Sequence, residues 1–321
     1  MSSIVPVFIP HIGCPHDCAF CNQRSISQTK TAPAKEQVFS LVKTGLELSP
    51  GGQVAFYGGS FTAINWQLQS DYLSAAINAG AQSIRLSTRP DYIDTKALQF
   101  LKEHRVQVIE IGAQSMCDEV LAASRRGHTA QHITSAAQLI KQAGFTLIIQ
   151  MMTGLPLDTA EKSAETAKKI AALEPDGVRI YPTVVIENTH LHTLYLAREY
   201  TPLELDLAVE ICAEVTQTFE AQGISVIRTG LNTFDKHSLG SVVAGPYHPA
   251  FGELVKSRIY YHKITKILEN NTVFKEIILE KQGSGLIIRA GSVPQVIGQK
   301  RENIEKLKAK FGFEWIKVEK I

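Results

Sequence analysis

The sequence predicts an α/β chain: a partial (β/α)6 barrel of the TIM type, followed by a small α+β domain. Three observations predict it. Short apolar runs alternate with amphipathic helical stretches from residue 3 to about residue 230. The runs are almost continuously apolar, as strands buried on both faces of a parallel sheet are. Six or seven such units follow one another, which suits a barrel or partial barrel better than a short open sheet.

In chain order the predicted strands are SIVPVFIP, QVAFYGG, IRLST, VQVIEIGA, TLIIQMM, GVRIYPT and ISVIRTG. Helical segments at 35–46, 68–79, 95–102, 131–143, 160–172 and 203–222 separate them. In barrels of this kind the chemistry sits at the C-terminal ends of the strands, so the motifs are expected there. Residues 231–257 are rich in Gly, Pro and His without clear periodicity, and read as a functional loop or a domain junction. Residues 258–321 carry a second pattern: helix, two strands, a short helix with a turn at Gly298, a longer helix and a last strand. The expected domains are therefore 1–230, a connecting segment 231–257, and 258–321.

Composition narrows the class. The chain has 321 residues, is 44% hydrophobic and 20% charged, and has an ordinary share of Gly and Pro, so it can bury a substantial core. No apolar run is long enough to span a bilayer. The N-terminus lacks a positively charged start, and Pro6 and Pro10 interrupt its short apolar stretch, so an export signal is not expected. Five cysteines, three of them within eight residues, suit reduced cytoplasmic thiols serving a metal better than a disulfide framework. From residue 273 onward the chain carries a net charge of +4 against +2 for the whole, a local basic excess that suits a polyanionic partner or a solvated face.

Cys14-x3-Cys18-x2-Cys21 follows the first predicted strand directly. Close spacing lets one loop wrap an iron–sulfur cluster, and three thiolates on a four-iron cube leave one iron open for a reactant. The alternative is zinc, with His11 or His16 as a fourth ligand. Cys117 and Cys212 fall in helical segments and read as small core residues.

The triplet, with Phe20 before its last cysteine, resembles the signature of the radical S-adenosylmethionine (SAM) superfamily, and further strand-end motifs follow in order. Gly58-Gly59-Ser60 resembles the glycine-rich segment that meets the SAM amino group, where backbone must approach a ligand closely. Gln114 and Gln150, ending the fourth and fifth strands, resemble residues that hydrogen-bond the SAM ribose in the coproporphyrinogen-type and Elongator branch. Arg126 resembles the partner of the methionyl carboxylate, a contact suited to guanidinium. The resemblance to the Elongator catalytic subunit group extends to Leu86-Ser87-Thr88-Arg89-Pro90-Asp91, where Ser87 stands in place of an acid. The cysteine spacing is the general superfamily one, and too few residues follow the barrel for an acetyltransferase domain.

Residues 258–321 resemble a KH domain of the αββααβ order, with Gly298-Gln299-Lys300-Arg301 at the position of the GxxG loop and Arg301 replacing the second glycine. This implies an RNA reader in which Lys300 and Arg301 contact phosphate; a basic capping subdomain is the alternative. His248, in the segment Gly245–Phe251 of the sequence, is a weak candidate for proton transfer, and no catalytic acid or base is assigned.

Together the resemblances imply a cytoplasmic enzyme using a 4Fe–4S cluster and SAM, fed by an electron donor such as flavodoxin or ferredoxin. They imply reductive cleavage of SAM to a 5′-deoxyadenosyl radical acting on tRNA or other RNA, with no membrane partner. The alternatives are radical chemistry on a small metabolite such as a tetrapyrrole, and a non-catalytic iron–sulfur or zinc protein that binds RNA.

Overall fold

Along each barrel strand, side chains alternate between an outer layer of helices and the interior of the sheet. The structure is a computed structural model and describes residues 3–9, 13–21, 32–231 and 242–321. Strands β1 (Ile4–Phe8), β2 (Gln53–Tyr57), β3 (Ile84–Thr88), β4 (Val106–Gln114), β5 (Thr146–Thr153) and β6 (Gly177–Pro182) pair in sequential order. Two-residue β7 (Val185–Ile186) leaves the run, and β8 (Ser225–Thr229) completes it beside β6. All these sheet pairs are parallel. β1 and β8 are the two edges, so the sheet is a curled half-barrel of seven strands, within the six or seven units read from the sequence.

Helices α1 (Lys35–Leu48), α2 (Trp66–Asn78), α3 (Thr95–Glu103), α4 (Asp118–Ala123), α5 (Ala130–Gln142), α6 (Ala160–Ala171), α7 (His190–Leu196) and α8 (Leu205–Ala221) accompany the sheet. Several starts are set by the preceding side chain: Asn65, Asp94, Thr129 and Thr159 each accept an N–H from the first turn of the helix they precede. The outward strand positions, such as Phe56, Leu86, Ile109, Ile149 and Ile180, form the core with the helices. The inward positions are different in kind. Arg85 and Ser87 on β3, Glu110 on β4, Gln150 on β5, and Arg179 and Tyr181 on β6 alternate with those core residues and face the barrel interior.

The connecting segment contains more structure than its sequence suggests. Val242–Ala244 forms β9, antiparallel to β7, and α9 spans Phe251–Asn270, starting earlier than the segment's Gly and Pro content indicates. Phe251 fixes that start, because its ring is buried in the barrel core. Further along α9, Ile264 belongs to a second core, which it shares with Leu286, Ile288, Val296 and Leu307. There β10 (Ile277–Gln282) pairs antiparallel with β11 (Gly285–Ala290), and β12 (Trp315–Lys320) lies parallel on the other side of β11. Helices α10 (Val293–Ile297) and α11 (Glu302–Phe311) cover this sheet, giving the order αββααβ. Arg258 on α9 bonds both Asp206 and Glu210 of α8, tying the small sheet's lead helix to the barrel.

Candidate functional site at the strand ends

The cysteine loop is pinned by backbone on both sides. Ala19 is fully buried; its N–H donates to Ser124 O (3.0 Å) and its carbonyl accepts from Leu191 N (2.7 Å). A turn follows, in which Cys21 N–H donates to Cys18 O at 3.1 Å. Phe20 is wedged between two apolar clusters, one with Val120, Met152 and Leu155, the other with Leu191 and Tyr200. The loop is thereby held at the C-terminal end of the sheet, where the barrel architecture expects chemistry.

Arg126 joins this loop to the strands. Its Nη1 donates to Cys18 Sγ (3.1 Å), its Nη2 donates to Gly112 O (2.7 Å), and its guanidinium stands over the Phe20 ring at 6.0 Å. Its Nε is buried without a hydrogen-bond partner among the described residues. A guanidinium with an unsatisfied buried donor, beside a thiol and a strand end, is suited to an anionic group. Burial pushes the Cys14 thiol up, while a backbone hydrogen bond from Ser60 pulls it down, and Cys14 also feels Cys18. Among the described residues no three thiol, imidazole or carboxylate groups converge on a single point. A four-iron cube does not require that, since each thiolate holds a different iron. His16 lies against Gly127, and His11 is outside the described residues.

The glycine segment forms the opposite wall. Gly58 has φ +105, and a Cβ there would stand 2.8 Å from Ile9 O. Backbone therefore passes backbone with no room for a side chain. Gly59 follows in a bend, half-buried. Ser60 is buried, and its hydroxyl meets Thr88 Oγ1 at 2.9 Å and accepts from Arg89 N at 3.2 Å. Thr62 extends the hydroxyl cluster, 2.6 Å from the same Thr88 oxygen. Ser87 faces the interior instead and presents a hydroxyl there. Gln114 adopts φ +68 where the β4–β5 register shifts, and its Oε1 accepts from Gln150 Nε2 at 3.1 Å. The left-handed residue turns the end of β4 inward and brings the two amides together.

The structure thus brings together Cys14, Cys18, Phe20 and Arg126 on one side, Gly58, Gly59 and Ser60 on another, and Gln114 with Gln150 on β4 and β5. Lys300 and Arg301 are elsewhere, exposed in the small domain. His248 is half-buried; its Nδ1 accepts from Ala250 N at 3.1 Å, the ordinary bond of a turn ahead of α9.

The sequence reading missed the charged floor of the barrel. Glu110 accepts from Arg85 Nη2 (3.3 Å) and Arg179 Nε (3.0 Å), with all three largely buried. Arg179 Nη1 also donates to the Tyr181 hydroxyl at 3.4 Å. The signal was available: IRLST, VQVIEIGA, GVRIYPT and ISVIRTG each carry one charge inside an apolar run. His128 was missed as well. It is buried beside Arg126, and burial, with the Arg126 and Arg89 charges, lowers its imidazole to about 3.

Comparison with known proteins gives the chain a family. The profile of the radical SAM superfamily matches residues 8–170, and that of the radical SAM C-terminal domain matches residues 175–261. The chain belongs to the radical SAM superfamily. It is an enzyme of that superfamily, whose cofactors are a 4Fe–4S cluster and SAM. Over 129 residues it is 33% identical to a tRNA uridine(34) acetyltransferase of Methanocaldococcus jannaschii, covering 39% of this chain and 24% of that protein. Human Elongator complex protein 3 is 32% identical over 135 residues, covering 41% of this chain and 25% of that protein. The chain thus spans about a quarter of the length of these curated relatives. In fold it is similar to Methanocaldococcus infernus Elp3 lacking its N-terminus, with a TM-score of 0.65 at 16% identity, over 99% of this chain and 93% of that one. The three thiols, the buried Arg126 donor and the side-chain-free approach at Gly58 fit the superfamily's two cofactors.

Proposed function

We propose that this enzyme cleaves SAM reductively at a cluster held by Cys14, Cys18 and Cys21, and directs the resulting radical at tRNA. The observation that carries the reading is the contact of Arg126 with Cys18, which, through the bond of the same guanidinium to Gly112 O, couples the cysteine loop to the end of β4. When bound and reduced, the cluster and SAM supply a 5′-deoxyadenosyl radical able to abstract hydrogen from a substrate.

The chain's own residues place and enclose the reactants. In this reading Arg126 pairs with the methionyl carboxylate, Gly58, Gly59 and Ser60 present backbone and hydroxyl to the amino group, and Gln114 and Gln150 bond the ribose. Phe20, packed between its two apolar clusters, fixes the loop and keeps water from the cluster side. Residues 1–230 form the catalytic barrel, 231–257 the connecting segment, and 258–321 the RNA-reading domain with Lys300 and Arg301 against phosphate. A tRNA substrate is supported by the names of the relatives, by the αββααβ order of the small domain and by its basic excess.

The test is 5′-deoxyadenosine release by anaerobically reconstituted, reduced protein, with and without total tRNA. Release stimulated by tRNA is expected, and Cys18→Ala should abolish it together with the cluster's visible absorption. Release indifferent to tRNA would move the search to small molecules such as tetrapyrroles. No release despite an intact cluster would remove radical chemistry from the proposal and leave a protein that only binds RNA.

A further inference from the structure

β6 and β8 carry two arginines in direct register: Arg179 pairs with Arg228 where the ladder shifts by one residue. Like charges opposite each other across neighbouring strands repel, so the arrangement calls for an anion between or above them. Glu110 answers only part of that charge, because it is already shared by Arg85 and Arg179. Arg85 is largely buried, and its Nε has no hydrogen-bond partner among the described residues. Arg228 donates Nε to Gly230 O (3.0 Å) and Nη2 to Leu231 O (3.1 Å), which fixes its guanidinium at the end of β8. The Tyr57 and Tyr181 hydroxyls lie in the same field; burial raises both and keeps them as protonated donors.

We infer that the interior of the half-barrel, from the Arg85–Glu110–Arg179 cluster to the end of β8, is a subsite for a phosphoryl group of the substrate, held by Arg179, Arg228 and Arg85 with the Tyr57 and Tyr181 hydroxyls. Three guanidiniums against one carboxylate leave two positive charges, enough to balance a phosphate monoester dianion or the single negative charge of a phosphodiester. Planar guanidinium forks and phenolic donors supply the hydrogen bonds that its oxygens accept. The site is reachable: Tyr57, Arg179, Tyr181 and Arg228 are all half-buried rather than sealed, and Phe8 at the end of β1 is 50% exposed. The inference rests on the reading of this barrel as the place where substrate meets SAM. A phosphoryl group there has two sources, a free phosphorylated metabolite or a nucleotide extruded from an RNA strand.

The experiment measures binding to full-length, reconstituted protein by calorimetry at fixed ionic strength, without turnover. Uridine, uridine 5′-monophosphate and a uridine trinucleotide are the probes. A phosphorylated probe is expected to bind at least about tenfold more tightly than uridine, as a charge-assisted contact gives. Arg228→Gln should remove most of that difference and Arg228→Lys should retain part of it, with thermal melts reporting that both variants are folded. Preference for the monophosphate assigns the site to a free phosphate monoester, and a preference for the trinucleotide that Arg228→Gln removes assigns it to a strand; both outcomes support the subsite. Equal binding of uridine and both phosphorylated probes, or an unchanged difference in folded Arg228→Gln, would overturn it. SAM cleavage by the same wild-type preparation is scored separately, so a failure of the radical reading leaves the phosphate measurement intact, and the reverse.

Discussion

Gly58 and His128 are each constrained by their immediate surroundings. At φ +105, an alanine at position 58 meets two penalties: the left-handed backbone and a Cβ 2.8 Å from Ile9 O. That oxygen is backbone and cannot move aside as a flexible side chain does. Gly58→Ala is expected to cost about 1–3 kcal/mol of stability and to weaken SAM binding, read by urea denaturation and by a SAM titration. His128 acts through pH. Its folded value of about 3 lies below the ordinary 6.5, so between those limits the unfolded chain binds the extra proton. Stability therefore rises with pH across that window and is lost as pH falls below 6.5, by at most about 1.4 kcal/mol per pH unit from this group. His262, also lowered by burial, adds in the same direction. The difference between wild type and His128→Gln in urea midpoints from pH 8 to 5 isolates the first group; parallel curves would mean that His128 does not carry the effect.

At the scale of elements, the strands share one ion cluster. Glu110 on β4 ties Arg85 on β3 to Arg179 on β6, across β5, in the barrel interior. Glu110→Gln leaves two largely buried guanidiniums without their carboxylate, and a loss of about 3–5 kcal/mol is expected in urea denaturation. Glu110→Gln with a wild-type midpoint would mean that solvent or a bound anion already compensates these charges. The cluster also marks the limit of sequence reading. Continuous apolar runs revealed the strands, and the Cys and Gly motifs and Gln114 fell at or just after their C-terminal ends as the barrel rule requires, while Gln150 lies within β5, three residues before its end. The runs did not reveal which inward residues meet, because Arg85, Glu110 and Arg179 lie far apart in sequence: Arg85 and Glu110 become neighbours when β3 pairs with β4, and Arg179 reaches Glu110 across β5. The start of α9 was hidden for a related reason. Gly252 and the nearby prolines argue against a helix locally, and burial of Phe251 in the barrel core outweighs them. The antiparallel β7–β9 pair was equally invisible, since two or three residues give no period to detect.

For the whole molecule, α9 is the member shared by barrel and small domain. Phe251, Val255 and Ile259 belong to the barrel core, while Ile264 belongs to the second core. Arg258, bonded to Asp206 and Glu210, and Asn303, donating to Ser257 O at 3.0 Å, fix that helix from both sides. The small domain is therefore held in a fixed relation to the barrel through this helix. In the loop Gly298–Arg301 of the sequence, Lys300 (φ +48) and Arg301 (φ +64) are both left-handed and exposed. Arg301 takes the backbone conformation that favours the glycine of a GxxG loop, so the turn survives the substitution and gains a charge. Glu302 and Glu305 in the first turn of α11 oppose anion binding at the helix terminus itself. If both touch phosphate, the double variant Lys300→Gln, Arg301→Gln should bind tRNA more weakly and flatten the dependence of log K on log salt by about 1.4, two contacts' worth for single-stranded RNA. Fluorescence anisotropy with labelled tRNA over a salt series measures both quantities. A weaker affinity with an unchanged slope would mean that the loop acts by shape, and an unchanged affinity would move the RNA contact to another face of the molecule.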